Sequence, residues 1–87
     1  MTPFAAALRL CGLSQPEAAN YLNANPHTVN AWGRGSNPAS DDAMRALADL
    51  QGRIVRAARG EDVGDLPGSG RDMATAMKIL SDIRKGA

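Results

Sequence analysis

Two helix-start signals in close succession constrain the fold of this chain more than any other feature. Ser14 and Glu17 have the spacing of a capping box, in which each side chain bonds the backbone amide of the other residue. Asn25 is placed to cap a second helix whose first residue is Pro26. The first of these helices must end, and the chain must turn sharply, before the second begins. Asn23 lies at this point, and asparagine tolerates the left-handed conformation better than most residues. The sequence therefore predicts two short helices joined by a tight turn.

Apolar residues at helical spacing predict three more helices. One precedes Gly12, a long one follows the cap Ser40 and ends near Gly60, and the last covers residues 72–85. We therefore expect an all-α fold, a compact bundle of about five helices in which helices 2 and 3 form a helix-turn-helix. The apolar positions of the three further helices are Phe4, Leu8 and Cys11, then Met44, Leu47, Ala48, Ile54, Val55 and Ala58, and finally Met73, Met77, Leu80, Ile83 and Ile79.

The composition divides the chain into three parts. Residues 1–59 carry the predicted helix-turn-helix domain with its long fourth helix, and residues 60–71, rich in glycine and acidic side chains without periodicity, predict a flexible linker. Residues 72–87 form a C-terminal helix for dimerisation or for binding a partner. Its apolar stripe must be buried either on its own domain or on a second subunit, and we expect a homodimer. The stripe residues assigned to dimerisation are Met73, Met77, Leu80 and Ile83.

The composition also narrows the class of protein. Ten basic and nine acidic side chains give a formal net charge of +1, which argues neither for nor against a nucleic-acid partner. The single cysteine, Cys11, excludes an internal disulfide and a cysteine-built zinc site, and no partners for a metal site accompany His27. Nothing in the sequence supports an enzyme, and no apolar run is long enough to span a membrane. We expect a cytoplasmic protein without cofactor, metal or membrane partner.

The central stretch resembles the Cro/CI-type family of helix-turn-helix DNA-binding proteins, also called the XRE family. The resemblance covers residues 8–50 and includes a Leu-Ser-Gln start, a central alanine where the two helices pack closest, and an ending of the Val-x-x-Trp-x-x-Gly type. Gly33 stands where the family often has glutamate, so the end of the third helix is expected to be loosely held, and Asn23 stands where glycine is usual. The matching residues are Leu13, Ser14, Gln15, Ala19, Leu22, Val29, Trp32, Gly35 and Pro38.

The resemblance implies that the third helix enters the major groove of double-stranded DNA while the second crosses the backbone. Asn30 would pair with adenine, and Ala31 would offer a methyl contact to thymine. Plain surface roles for His27, Asn30 and Gln15 stay open as alternatives. A basic face formed by Arg53, Arg56 and Arg59 is either a phosphate-binding stripe or merely solvated. The residues assigned to DNA binding are Gln15, Pro26, His27, Thr28, Asn30, Ala31, Arg34 and Asn37.

The sequence is compatible with two functions. The first is a homodimeric transcriptional repressor that binds an inverted-repeat operator and regulates a small phage or mobile-element operon, because one such motif reads only about half a site. The alternative is an antitoxin-type regulator whose C-terminal segment binds a partner protein.

Overall fold

The computed structural model describes residues 1–86 and is all-helical over this range, as predicted. The helices follow in the expected order, and the second and third are joined by a short turn. Their bounds are α1 Pro3–Cys11, α2 Gln15–Leu22, α3 Pro26–Arg34, α4 Asp41–Ala58 and α5 Gly70–Gly86.

The predicted capping chemistry sets the ends of α2 and α3. Ser14 Oγ accepts from the Glu17 amide at 3.3 Å, and Glu17 Oε1 accepts from the Ser14 amide at 2.9 Å, which completes the capping box. Asn23 ends α2 with a φ of 52°, in the left-handed region. Asn25 Oδ1 then accepts from the His27 amide at 2.8 Å and starts α3. The local predictions for this segment are confirmed.

The core lies where α1, α4 and the start of α5 meet α2 and α3. Leu47, Leu50 and Ile54 of α4 are fully buried. The prediction that Ala48 lies on the apolar face, with Leu50 omitted, was wrong, since Ala48 is exposed and Leu50 is buried. The buried face follows the i, i+3, i+7 spacing of Leu47, Leu50 and Ile54, and Ala48 is turned about 100° away from Leu47. The remaining buried core residues are Phe4, Leu8, Cys11, Leu13, Ala18, Ala19, Val29, Ala43 and Ala74.

The connection between α4 and α5, predicted as a flexible linker over residues 60–71, is hydrogen-bonded to other parts of the fold. Arg53 donates from Nη2 to two of its carbonyl oxygens, Val63 O at 3.0 Å and Asp65 O at 2.8 Å. Near its end the Ser69 amide donates to Gly12 O at 2.9 Å. These bonds tie the connection to α4 and α1 and engage Arg53 Nη2 with backbone carbonyl groups.

Helix α5 begins at Gly70, two residues before the predicted start at Asp72, because its first turn has a place to pack. Gly70 is buried, and a Cβ there would lie 3.2 Å from Leu66 Cβ and 3.3 Å from Ile54 Cδ1. Met73 is half-buried against the core of its own subunit, and its role in a dimer interface stays a prediction. The first turns of α5 complete the core, which the sequence analysis had left open as an alternative to dimerisation.

Candidate nucleic-acid interface

Helix α3 is held to the core from behind by Val29 and Trp32. Val29 is fully buried, and the Trp32 ring packs edge-on against Phe4, with ring centroids 5.3 Å apart and planes at 71°. Thr2 Oγ1 donates to Gly33 O at 3.3 Å and thereby ties the last turn of α3 to the start of α1. The helix is consequently a braced element rather than a loosely attached one.

The outer side of α3 carries polar side chains in solvent. His27, Thr28 and Asn30 occupy its first turns and are exposed, and Arg34 is exposed at its end. Ala31 is half-buried, which leaves less of its methyl group for a thymine contact than the sequence suggested. The predicted contact set on α3 thus lies on one accessible side, with Ala31 at its margin.

Gln15 joins the start of α2 to this outer side. Asn30 Nδ2 donates to Gln15 Oε1 at 3.5 Å, and the Gln15 amide also lies over Gly33, where a Cβ would overlap Nε2. Gly33 therefore makes room for Gln15. A glutamine side chain from the neighbouring helix thus covers the end of α3. This contact between Gln15 and Gly33 was not predicted from sequence.

A shallow depression of about 510 Å³ lies between α2 and α3. Its lining contains four carboxamide side chains and no ionisable group, so hydrogen bonding rather than charge dominates this surface. Asn20 and Asn23 were not predicted as site residues, although the clustering of amides in residues 15–30 could have indicated them. The lining residues are Gln15, Pro16, Ala19, Asn20, Asn23, Ala24, Pro26 and Asn30.

Charge is scarce around this depression. Arg34 is the one cationic side chain in residues 13–37 apart from the titratable His27, and Glu17 is the one acid. Hydrogen bonds from the backbone and side chain of Ser14 lower the pKa of Glu17, because they favour the ionised carboxylate. The Glu17 charge is thereby held at the amino end of α2, where the helix dipole also favours it.

Asn37 does not share the depression with the other predicted residues. It lines a separate, mostly apolar groove with Phe4 and Trp32, beyond the end of α3. The structure thus brings Gln15, Pro26 and Asn30 together and leaves Asn37 on a different surface.

Comparison with protein families, with characterised proteins and with solved structures gives no match. Within residues 1–86 no group of three or more His, Cys, Asp or Glu side chains is arranged to hold a metal ion. Over the same residues, no helix combines the length and apolar character needed to cross a bilayer.

Proposed function

We propose that this chain is a sequence-specific DNA-binding transcriptional repressor that acts in the cytoplasm as a homodimer on an inverted-repeat operator. The observation that carries the proposal is the exposed polar side of α3, a helix braced from behind by Val29 and Trp32 and flanked by the start of α2. A helix held in this way can enter the major groove without losing its contacts to the core. Autoregulation of a small phage or mobile-element operon is the setting that we propose.

Base recognition centres on Asn30. A carboxamide can accept from adenine N6 and donate to adenine N7 at once, which makes asparagine a reader of adenine. Gln15 Oε1 takes one hydrogen of Asn30 Nδ2 and so favours one orientation of the amide. In that orientation Oδ1 and the second Nδ2 hydrogen are free for the base edge. His27 and Thr28 lie at the amino end of α3, which reaches the groove first in this pose.

Phosphate contacts come mainly from neutral groups. The side chain and the backbone amide of Gln15 can donate to a phosphate oxygen, whereas the Ser14 and Glu17 amides are engaged in the capping box. Arg34 adds one cationic contact past the end of α3. We accordingly expect DNA binding that depends on salt less steeply than binding by a strongly basic domain.

Dimerisation follows from the size of the site. A single helix-turn-helix contacts a short half-site, and two copies on half-sites about one helical turn apart are needed for useful affinity. A repressor of this kind acts by occupying a promoter.

The proposal is tested by selecting bound sequences from a pool of random duplexes with the wild-type protein, Asn30→Ala and Thr75→Ala. Thr75 is an exposed polar residue of α5 whose hydroxyl bonds only the helix carbonyl of Arg71, so its variant is the matched control. We expect the wild type and Thr75→Ala to enrich the same inverted repeat. Asn30→Ala should lose the preference at one position in each half-site. Absence of any enriched sequence with the wild type would overturn the proposal.

A further inference from the structure

Helix α5 carries apolar residues on two sides. Successive residues turn by about 100° around a helix, so Gly70, Ala74 and Met77 fall on one side. Gly70 and Ala74 are buried, and Met77 lies at the margin with 38% of its surface exposed. This side packs on the core and accounts for the inner contacts of the helix.

The second apolar side consists of Ala76, Leu80 and Ile83, with Ile79 at its edge, and is named here the outer face of α5. These residues follow the i, i+4, i+7 spacing of a helix-pairing seam. Leu80 is 67% exposed, Ile83 63% and Ile79 53%. Three large aliphatic side chains in solvent on one helix form an apolar patch that a stable surface normally avoids.

We infer that the outer face of α5 pairs with the same face of a second copy of this chain, with the two helices antiparallel. The charges at the two ends of α5 argue for this occupant. Asp72 lies in the first turn, and Arg84 and Lys85 lie in the last. An antiparallel pair brings Asp72 of each copy toward Arg84 of the other and also opposes the two helix dipoles, while Arg71, in the same first turn, donates to Gly64 O at 3.3 Å. A parallel pair would put Arg84 and Lys85 of both copies together at the carboxyl end.

The register of the pair follows from the outer face itself. A two-fold axis that passes between Ile79 and Leu80 puts Ile79 of each copy against Leu80 of the other. It also puts the small Ala76 against the large Ile83 at both ends of the contact. Small side chains opposite large ones allow the two helices to interdigitate without voids. Arg84 then reaches Asp72 of the second copy.

This interface supplies the homodimer of the proposed function, and its role in DNA binding rests on that proposed function. An isologous contact relates the two α3 helices by a two-fold axis, as an inverted repeat requires. It also differs from the interface expected from sequence, because Met73 and Met77 lie on the inner side, whereas Leu80 and Ile83 remain in it and Ala76 and Ile79 join it.

The first test measures self-association by analytical ultracentrifugation without DNA. We expect the wild type to be dimeric at about 100 µM, with a dissociation constant in the micromolar range for a contact of one helix pair. Leu80→Glu should weaken the dimer by about 100-fold or more, since both copies lose the contact. Leu10→Glu is the matched control, because Leu10 is an exposed helical leucine on α1, 57% accessible, and should leave the dimer unchanged. A monomeric wild type, or equal effects of the two variants, would overturn the interface.

The second test fixes the orientation by disulfide formation. The variant with both Ala76→Cys and Ile83→Cys should form a covalent dimer under mild oxidation, because the two positions face each other across the antiparallel pair. Ala76→Cys alone should not, since the two copies of position 76 are then about 10 Å apart along the axis, beyond the reach of a disulfide. Cys11 is 1% exposed and does not compete. A covalent dimer of Ala76→Cys alone would show a parallel pair and overturn the inference.

Charge-reversal variants test the antiparallel arrangement of the two helices independently. Asp72→Arg and Arg84→Asp should each weaken the dimer, and the two changes together should restore it. No restoration would contradict the antiparallel register.

Dimerisation through α5 in a protein that selects no DNA would leave the interface standing and remove the proposed function. If the protein selects an inverted repeat but its Leu80→Glu variant still dimerises, the interface is overturned and the proposed function stands.

Discussion

The side-chain amide of Asn30 donates to Gln15 Oε1 over 3.5 Å, which couples the outer side of α3 to the start of α2. Gly33 makes this possible, because it is the residue of α3 over which the Gln15 amide lies. In the proposed function, Gln15 therefore contacts both Asn30, the proposed base-reading residue, and the DNA backbone. The first three predictions follow from this arrangement and from the scarcity of charge around it.

Gln15 and Asn30 should act as a unit in DNA recognition. Gln15→Ala should reduce affinity and also relax the base preference at the position read by Asn30, because the Asn30 amide loses its orienting partner. A double-mutant cycle of Gln15→Ala and Asn30→Ala on the selected operator should give a coupling free energy of about 0.5–1.5 kcal/mol. Strict additivity of the two changes, measured by fluorescence anisotropy, would show that the contact has no role in binding.

Arg34 should account for most of the ionic contribution of α3. Arg34→Ala should weaken binding to all sequences alike and reduce the slope of log K against log salt by about 0.9 per protomer, or about 1.8 for a dimer. Arg9→Ala is the matched control, since Arg9 is an exposed arginine on α1 with no assigned DNA contact, and its slope should equal that of the wild type. Identical slopes for the wild type and Arg34→Ala would remove Arg34 from the interface.

The substitution Gly33→Ala should weaken DNA binding without lowering the free energy of unfolding. A helical alanine is more favourable than glycine by up to about 1 kcal/mol, and the atom that must move is the far end of the flexible Gln15 side chain. We expect a neutral or higher free energy of unfolding together with weaker operator binding, because Gln15 is displaced from Asn30.

Gly52→Ala is the control for that substitution. A Cβ at Gly52, inside α4, has nothing within 4 Å, so this variant should gain about 1 kcal/mol in stability with unchanged DNA binding. Equal operator affinities of Gly33→Ala and Gly52→Ala would contradict the role given to Gln15.

The capping box should make stability depend on pH through Glu17. Its pKa is lowered in the folded state by hydrogen bonds from Ser14, so its contribution is fully present above the ordinary carboxyl value of 4.5 and is lost as the pH falls through the lower folded value. Glu17→Gln keeps an acceptor but does not titrate. The stability advantage of the wild type over Glu17→Gln, measured by urea unfolding, should shrink as the pH falls below about 4.5. A difference that is constant from pH 7 to pH 3 would exclude this mechanism.

The helix-turn-helix segment was predictable from sequence because its ends are set by local chemistry. Ser14, Asn23 and Asn25 each act on backbone groups within a few residues, and their capping and turn roles hold in any fold that contains these helices. The exposure of His27 and the burial of Val29 follow from the same helical register. The ends of α3 and the residues that it exposes could therefore be predicted from the sequence alone.

The contacts between helices could not be predicted in the same way. The approach of Gln15 to Asn30 depends on the angle between α2 and α3, which the core sets. Helical spacing alone merged Met77 and Leu80 into one stripe, although Met77 lies at the margin of the core and Leu80 in solvent. Arg53 looked like a surface cation because the carbonyl groups that it binds lie in a segment without periodicity.

The most direct test of the central claim is a chemical-shift map of the isotopically labelled protein on its selected duplex. We expect the largest changes at the backbone amides of residues 26–31 and at the side-chain amides of Gln15 and Asn30, with the core residues Leu47 and Leu50 unaffected. The same map recorded with Asn30→Ala on a scrambled duplex should show small, uniform changes. Changes confined to α4 or α5, with α3 silent, would contradict the claim that α3 meets the DNA.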